Sequence, residues 1–136
     1  MNHLIIRICI PILAIILFSA CKKGPGDGGN SSIKGHVWEK VINGTYQVQY
    51  QQDAQEEDVF LIYGDDVSYS DRAQSSHDGM FEFKYLRPGK YKIFVYSDDS
   101  VLTTNNPDNI AILKEIEIKD KKDVVDAGEF TIFKDQ

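Results

Sequence analysis

Three groups of side chains in this 136-residue chain have types and spacings that could do chemistry. The run Ser75-Ser76-His77-Asp78 holds a nucleophile, a base and an orienting acid, the parts of an acyl-transfer triad. Triads assemble from residues that converge in space, and neighbours in one turn rarely do so. His77 and His36 are therefore read as solvated or packed residues, and no enzymatic activity is expected. The pairs Asp65-Asp66 and Asp98-Asp99 each follow an apolar run. If those turns met at one end of a sandwich they could offer hard oxygens to Ca²⁺. The spacing of an EF-hand loop is absent and Asp is an ordinary turn residue, so the solvated-turn reading outweighs the metal reading and no cofactor is expected. Trp38, Tyr46, Tyr50 and Tyr69 are candidates for a sugar- or peptide-binding platform, since aromatic rings combine large contact area with a polar handle. Exposure of the rings would favour binding, and burial would make them sheet residues.

A fourth candidate is Cys21, in the stretch ILFSACKKGPGDGG. Ile8 to Phe18 is uncharged and apolar, interrupted only by Pro11, and is preceded by the single charge Arg7. A spanning helix needs roughly 20 apolar residues, so the run is short for a membrane span and fits the core of a secretory signal peptide. Ala20 suits an ordinary signal-peptidase site, whereas Phe18, two residues earlier, does not. Phe18-Ser19-Ala20-Cys21 instead resembles the lipobox of bacterial lipoproteins, with Phe18 where Leu is usual. That resemblance implies cleavage before Cys21 and attachment of lipid, palmitate included, to Cys21. Several acyl chains at about 0.8 kcal/mol per CH₂ hold such a protein on a bilayer without a spanning helix. Lys22 stands where an Asp would resemble an inner-membrane retention signal, which points to the outer membrane, facing either the periplasm or the exterior. Cleavage removes Cys9 and Arg7, so no intramolecular disulfide can form and the formal charge moves from −6 to −7. An acidic domain of this kind is repelled by nucleic-acid phosphates, and no basic stripe compensates.

The elements that must position these groups read as strands. Gly24 to Ser32 is glycine-rich and polar, the composition of a flexible tether reaching about 40 Å from Cys21 to Ile33. The expected organisation is thus a signal peptide over 1–20, a lipidated Cys and tether over 21–32, and a folded domain over 33–136. Ile33 to Ile42 and Thr45 to Tyr50 alternate around Asn43-Gly44, a hairpin signal. Val59 to Tyr63 is continuously apolar and suits a central strand covered on both faces. Val67 to Arg72 suits a short edge strand. Phe81, Phe83 and Tyr85 alternate before the turn pair Pro88-Gly89, and Tyr91, Ile93 and Val95 alternate after it, which predicts two antiparallel neighbours. Ile110 to Ile118 and Val124 to Phe133 complete the set, the latter with a bulge expected at Gly128. About seven strands in roughly 100 residues, with turn signals between them, predict an all-β fold, a single antiparallel β-sandwich.

The succession IKGHV, DVFLIYG, SHDGMFEFKYLRPGKYKIFVY and KEIEI resembles the carboxypeptidase regulatory-like domains and their relatives with a transthyretin-like (prealbumin-like) sandwich. The resemblance runs from Ile33 to Phe133 and rests on turn chemistry and core alternation, which imply a fold more than an activity. The chain is expected to be an outer-membrane-anchored lipoprotein whose transthyretin-like or Ig-like sandwich is a non-catalytic binding or structural module. Its partners would be the membrane, through the lipid, and a protein or glycan. The alternatives are a carbohydrate- or Ca²⁺-binding protein and, less favoured, a soluble hydrolase.

Overall fold

The computed structural model describes residues 23–45, 47–98 and 109–135. The expected signal peptide, Cys21, Tyr46 and Asp99 lie outside the described residues. Eight strands make up the rest: β1 (Asp27–Ile42), β2 (Val48–Asp53), β3 (Asp58–Tyr63), β4 (Asp71–Gln74), β5 (Met80–Leu86), β6 (Gly89–Ser97), β7 (Ile110–Ile118) and β8 (Val124–Asp135). They form two four-stranded sheets. In sheet A, β8 runs parallel to β1 along one edge, from Ser32 to Ile42. The other edge of β1 is shared end to end by β5 and β2, both antiparallel to it. Sheet B has the order β4-β3-β6-β7 and is antiparallel throughout. The fold is the expected all-β sandwich, with the parallel β1–β8 pair as its one departure from antiparallel pairing.

One apolar core lies between the sheets. From sheet A it takes Ile33, Val37, Phe81, Phe83, Phe130 and Ile132, and from sheet B Val59, Leu61, Tyr91, Ile93, Val95 and Ile118. These positions follow the two-residue period that sends alternate side chains to one face of a strand. Gly128 has φ 72° and lies where the β1–β8 register shifts, between Asp126 and Glu129, so the bulge expected there is present. The Asn43-Gly44 signal also marks a real hairpin between β1 and β2. The turn is tied by Asn43 Oδ1, which accepts from the backbone N–H groups of Thr45 and Gln47 at 3.0 Å each.

Four expectations need correction. The strand expected over Thr45–Tyr50 is β2 at Val48–Asp53, and the edge strand expected over Val67–Arg72 is β4 at Asp71–Gln74. The strands flanking Pro88-Gly89 are not neighbours: β5 pairs with β1 in sheet A, and β6 pairs with β3 and β7 in sheet B. The chain crosses from one sheet to the other, so Phe81 and Phe83 face Tyr91, Ile93 and Val95 through the core. Inward alternation on both strands is the same for a hairpin and for such an arch. The crossing begins at Tyr85, whose φ of 60° turns its ring out to solvent and sends Leu86 inward, breaking the Phe81-Phe83-Tyr85 alternation. The folded region also starts before Ile33, since β1 begins at Asp27 and Gly26, Ser31 and Ser32 are buried. Gly29 shows why this run is rich in glycine: a Cβ there would sit 1.9 Å from the Leu86 carbonyl oxygen. Close backbone approach, not slackness, demands that residue.

Candidate functional site

The outer face of sheet B carries a cluster of four rings, two of them exposed to solvent. On β3 the inward residues Val59 and Leu61 leave Phe60 and Ile62 outside, and on β6 the inward Tyr91, Ile93 and Val95 leave Lys92, Phe94 and Tyr96 outside. Register then sets these residues side by side, with Phe60 opposite Arg72 and Phe94, and Phe94 opposite Leu113. Phe60 and Phe94 are stacked, with centroids 4.9 Å apart and planes 13° from parallel. Tyr96 meets both rings edge-on, at 5.6 Å from Phe60 and 5.4 Å from Phe94. Tyr69, from the loop before β4, meets Phe60 at 5.0 Å. Tyr69 and Tyr96 remain 56% and 45% exposed. The belt is flanked by charge: Arg72 bonds Asp58 at 3.2 Å on one side, while Lys92 lies opposite Glu115 on the other. Cross-strand ring pairs of this kind contribute roughly 0.2–1 kcal/mol to the sheet. Rings left half-exposed also offer flat apolar area to a ligand.

Of the four aromatic candidates from the sequence, only Tyr69 belongs to this cluster. Trp38 and Tyr50 are on sheet A, on β1 and β2, and Tyr46 is outside the described residues. Trp38 packs against His36, ring centroids 4.3 Å apart, and His36 Nε2 is bonded to Asp53 Oδ1 at 2.8 Å. That imidazole is thus a packed residue of the outer face of sheet A. Phe60, Phe94 and Tyr96 were missed. Their signal is present in VFLIY and in KIFVY, where apolar residues occupy both faces of a strand, but the first run was assigned protein cover on both faces and only the Tyr91-Ile93-Val95 face of the second was read.

The aspartates do not gather. β3 and β6 are antiparallel, with Tyr63 opposite Tyr91 and Val59 opposite Val95. Asp65 and Asp66 therefore follow β3 at one end of sheet B, and Asp98 follows β6 at the other, about 20 Å away at strand rise. Among the described residues no three His, Cys, Asp or Glu side chains are grouped to hold a metal ion. The Ser-Ser-His-Asp run is a turn. Ser75 Oγ points inward and donates to Ala54 O at 2.6 Å, and Gly79 N donates to Ser76 O at 2.9 Å to close the turn. The Ser76 hydroxyl donates to Asp78 Oδ1 and holds that exposed carboxyl below its ordinary range. Neither serine is hydrogen-bonded to His77 among the described contacts.

The structure therefore defines a two-sheet β-sandwich with an aromatic outer face. No protein-family model matches the chain, and no curated protein does. Solved structures do resemble it. One is a candidate carbohydrate binding protein from Pseudomonas aeruginosa, 12% identical at a TM-score of 0.45, over 80% of this chain and 91% of that one. An (S)-allantoin synthase is 13% identical at a TM-score of 0.44, over 77% of this chain and 42% of that one. A DUF3823 family protein from Parabacteroides merdae is 16% identical at a TM-score of 0.32, over 74% of this chain and 46% of that one. The chain spans less than half the length of the latter two.

Proposed function

We propose that the chain is an outer-membrane-anchored lipoprotein, held through Cys21, whose transthyretin-like sandwich is a non-catalytic carbohydrate-binding module. The observation that carries the binding role is the ring cluster of Phe60, Tyr69, Phe94 and Tyr96 on the outer face of sheet B. Aromatic faces suit the apolar C–H faces of pyranose rings, and the two tyrosine hydroxyls and the flanking Arg72, Asp58 and Lys92 supply polar groups for sugar hydroxyls. The non-catalytic role is supported by the turn geometry of Ser75 to Asp78 and by the separation of the aspartates. The anchor is supported by the lipobox resemblance at residues 18–21.

A glycan array probed with the purified chain, followed by titration of the best ligand, tests the binding role. Tyr69→Ala and Tyr96→Ala are expected to abolish binding with little change in thermal midpoint, because both rings are half-exposed. Trp38→Ala is expected to leave binding intact. Retention of full affinity by a Tyr69→Ala/Tyr96→Ala double variant would exclude this face as the site.

A further inference from the structure

Residues 24–27 are clamped to the body of the sandwich rather than hanging from it. Arg87 Nε donates to Gly24 O at 2.8 Å, and the same guanidinium reaches Asp27 O. Arg87 N donates to Gly26 O at 2.9 Å, and Gly26 N donates to the Tyr91 hydroxyl at 2.9 Å. The Tyr63 hydroxyl donates to Asp27 Oδ1 at 2.8 Å. Only Lys22 and Lys23 separate Cys21 from the first clamped residue, a fully extended reach of about 10 Å. A lipid on Cys21 would therefore keep one particular end of the sandwich within about 10 Å of the bilayer surface, without fixing which part of that end touches it.

That end is built for such contact. Beside the clamp lies a groove of about 730 Å³ lined by Lys23, Asn30, Arg87, Lys121 and the backbone of Gly28 and Gly29. Its charged members are all cationic in a chain of net charge −6. Lys119 and Lys122 lie on the same β7–β8 turn as Lys121, Lys90 follows Gly89 at this end, and the acids here are Asp27, Asp65, Asp66, Glu117, Asp120 and Asp123. The opposite end is plainly acidic. It gathers Glu56, Glu57, Asp58, Asp98 and Asp135, where Lys134 bonds Glu57 and Arg72 bonds Asp58. The cationic groove thus lies at the anchored end and the acidic cluster at the far one.

We propose that the Lys23–Arg87–Lys121 groove is a membrane-facing surface that seats on the net-anionic phospholipid headgroups of the bilayer holding the Cys21 lipid. The proposal rests on the anchor described above. Reach and charge act together here, because a leash of about 10 Å keeps the cations within about one Debye length of the headgroups. The acidic end is repelled from the same surface. The domain then stands upright, and the aromatic face of sheet B, which runs along its side, stays open to ligand.

Palmitate incorporation into wild type and Cys21→Ser is measured first, and equal incorporation overturns the anchor and this proposal with it. The natively lipidated chain is then labelled with a fluorophore at Asn30→Cys, beside the groove, or at Gln49→Cys, at the far end. Both are reconstituted in vesicles of phosphatidylethanolamine and phosphatidylglycerol and exposed to an aqueous quencher. The Asn30 label should be shielded and the Gln49 label should not. Shielding should be lost in Lys23→Glu/Lys121→Glu, with palmitate incorporation and thermal midpoint unchanged, and lost in wild type on vesicles of phosphatidylcholine alone. Equal quenching at both positions in a palmitate-labelled chain overturns the proposal and leaves the anchor standing. Shielding that survives the double charge reversal overturns it as well.

Discussion

Tyr91 is the residue through which the core, the sheet crossing and the N-terminal segment communicate. Its ring is buried, and its hydroxyl accepts from Gly26 N and donates to Arg87 O at 2.6 Å. Tyr91→Phe leaves the buried Gly26 N and the part-buried Arg87 O without that partner, and a loss of about 1–3 kcal/mol in urea unfolding is expected. Burial also raises the Tyr91 phenol above its ordinary value. Tyr63 is raised for the same reason first, and then by its bond to the Asp27 carboxylate. Above pH about 10 the unfolded tyrosines ionise while these two keep their protons, so the native state holds more protons than the unfolded one. Stability from this source is complete below pH about 10 and falls as pH rises beyond it. A urea midpoint followed against pH should drop on the alkaline side, and Tyr63→Phe should make the drop shallower.

At the scale of elements, turn residues and alternation identified strands but not always their partners. β7 falls on its expected bounds, and β3 lies in the interior of its sheet as its apolar run implied. The β5–β6 connection was misassigned because inward alternation does not say whether the next strand lies beside the first or across the core. The N-terminal run was misassigned because glycine serves both slack chain and close packing. These two uses predict different costs. Gly29→Ala forces Cβ into the Leu86 carbonyl and should cost about 1–3 kcal/mol as overpacking of a tight contact. Gly128→Ala meets no such obstacle, its nearest neighbour being Lys114 Nζ at 3.5 Å, but φ 72° makes it cost roughly 1–2 kcal/mol. Thermal unfolding of the two variants checks both, and a Gly29→Ala as stable as wild type would return residues 24–32 to the status of a tether.

For the molecule as a whole, both sheets contribute to one apolar cluster, and contacts along β8 bind them together. Lys114 of β7 donates to Ala127 O and Glu129 O of β8 at 3.2 and 2.7 Å, with its ammonium 4.5 Å from the Phe130 centroid. Ser97 Oγ of β6 accepts from Phe133 N of β8 at 2.8 Å. With one core and tied edges, the sheets are expected to unfold together. Trp38 fluorescence reports on sheet A, and a fluorophore attached at Tyr96→Cys reports on sheet B. The two should give coincident urea transitions, and separate midpoints would show that the sheets are independent units.

The existence of most strands and most of their inward residues were determined by the sequence alone, because a two-residue period and turn chemistry are local properties, whereas the bounds of β1, β2 and β4 were not. Tyr69 was singled out as a candidate platform residue inside an expected edge strand, and the structure places it in the loop before β4. Only the tertiary structure decided that β5 and β6 lie in opposite sheets, that β8 runs parallel to β1, and that residues 24–27 are clamped by Arg87 and Tyr91. It also decided that Phe60, Phe94 and Tyr96 share one outer face while the aspartate pairs sit at opposite ends. Each of those outcomes depends on register between distant strands. Register follows from how whole strands bury their apolar faces together, and no local window contains it.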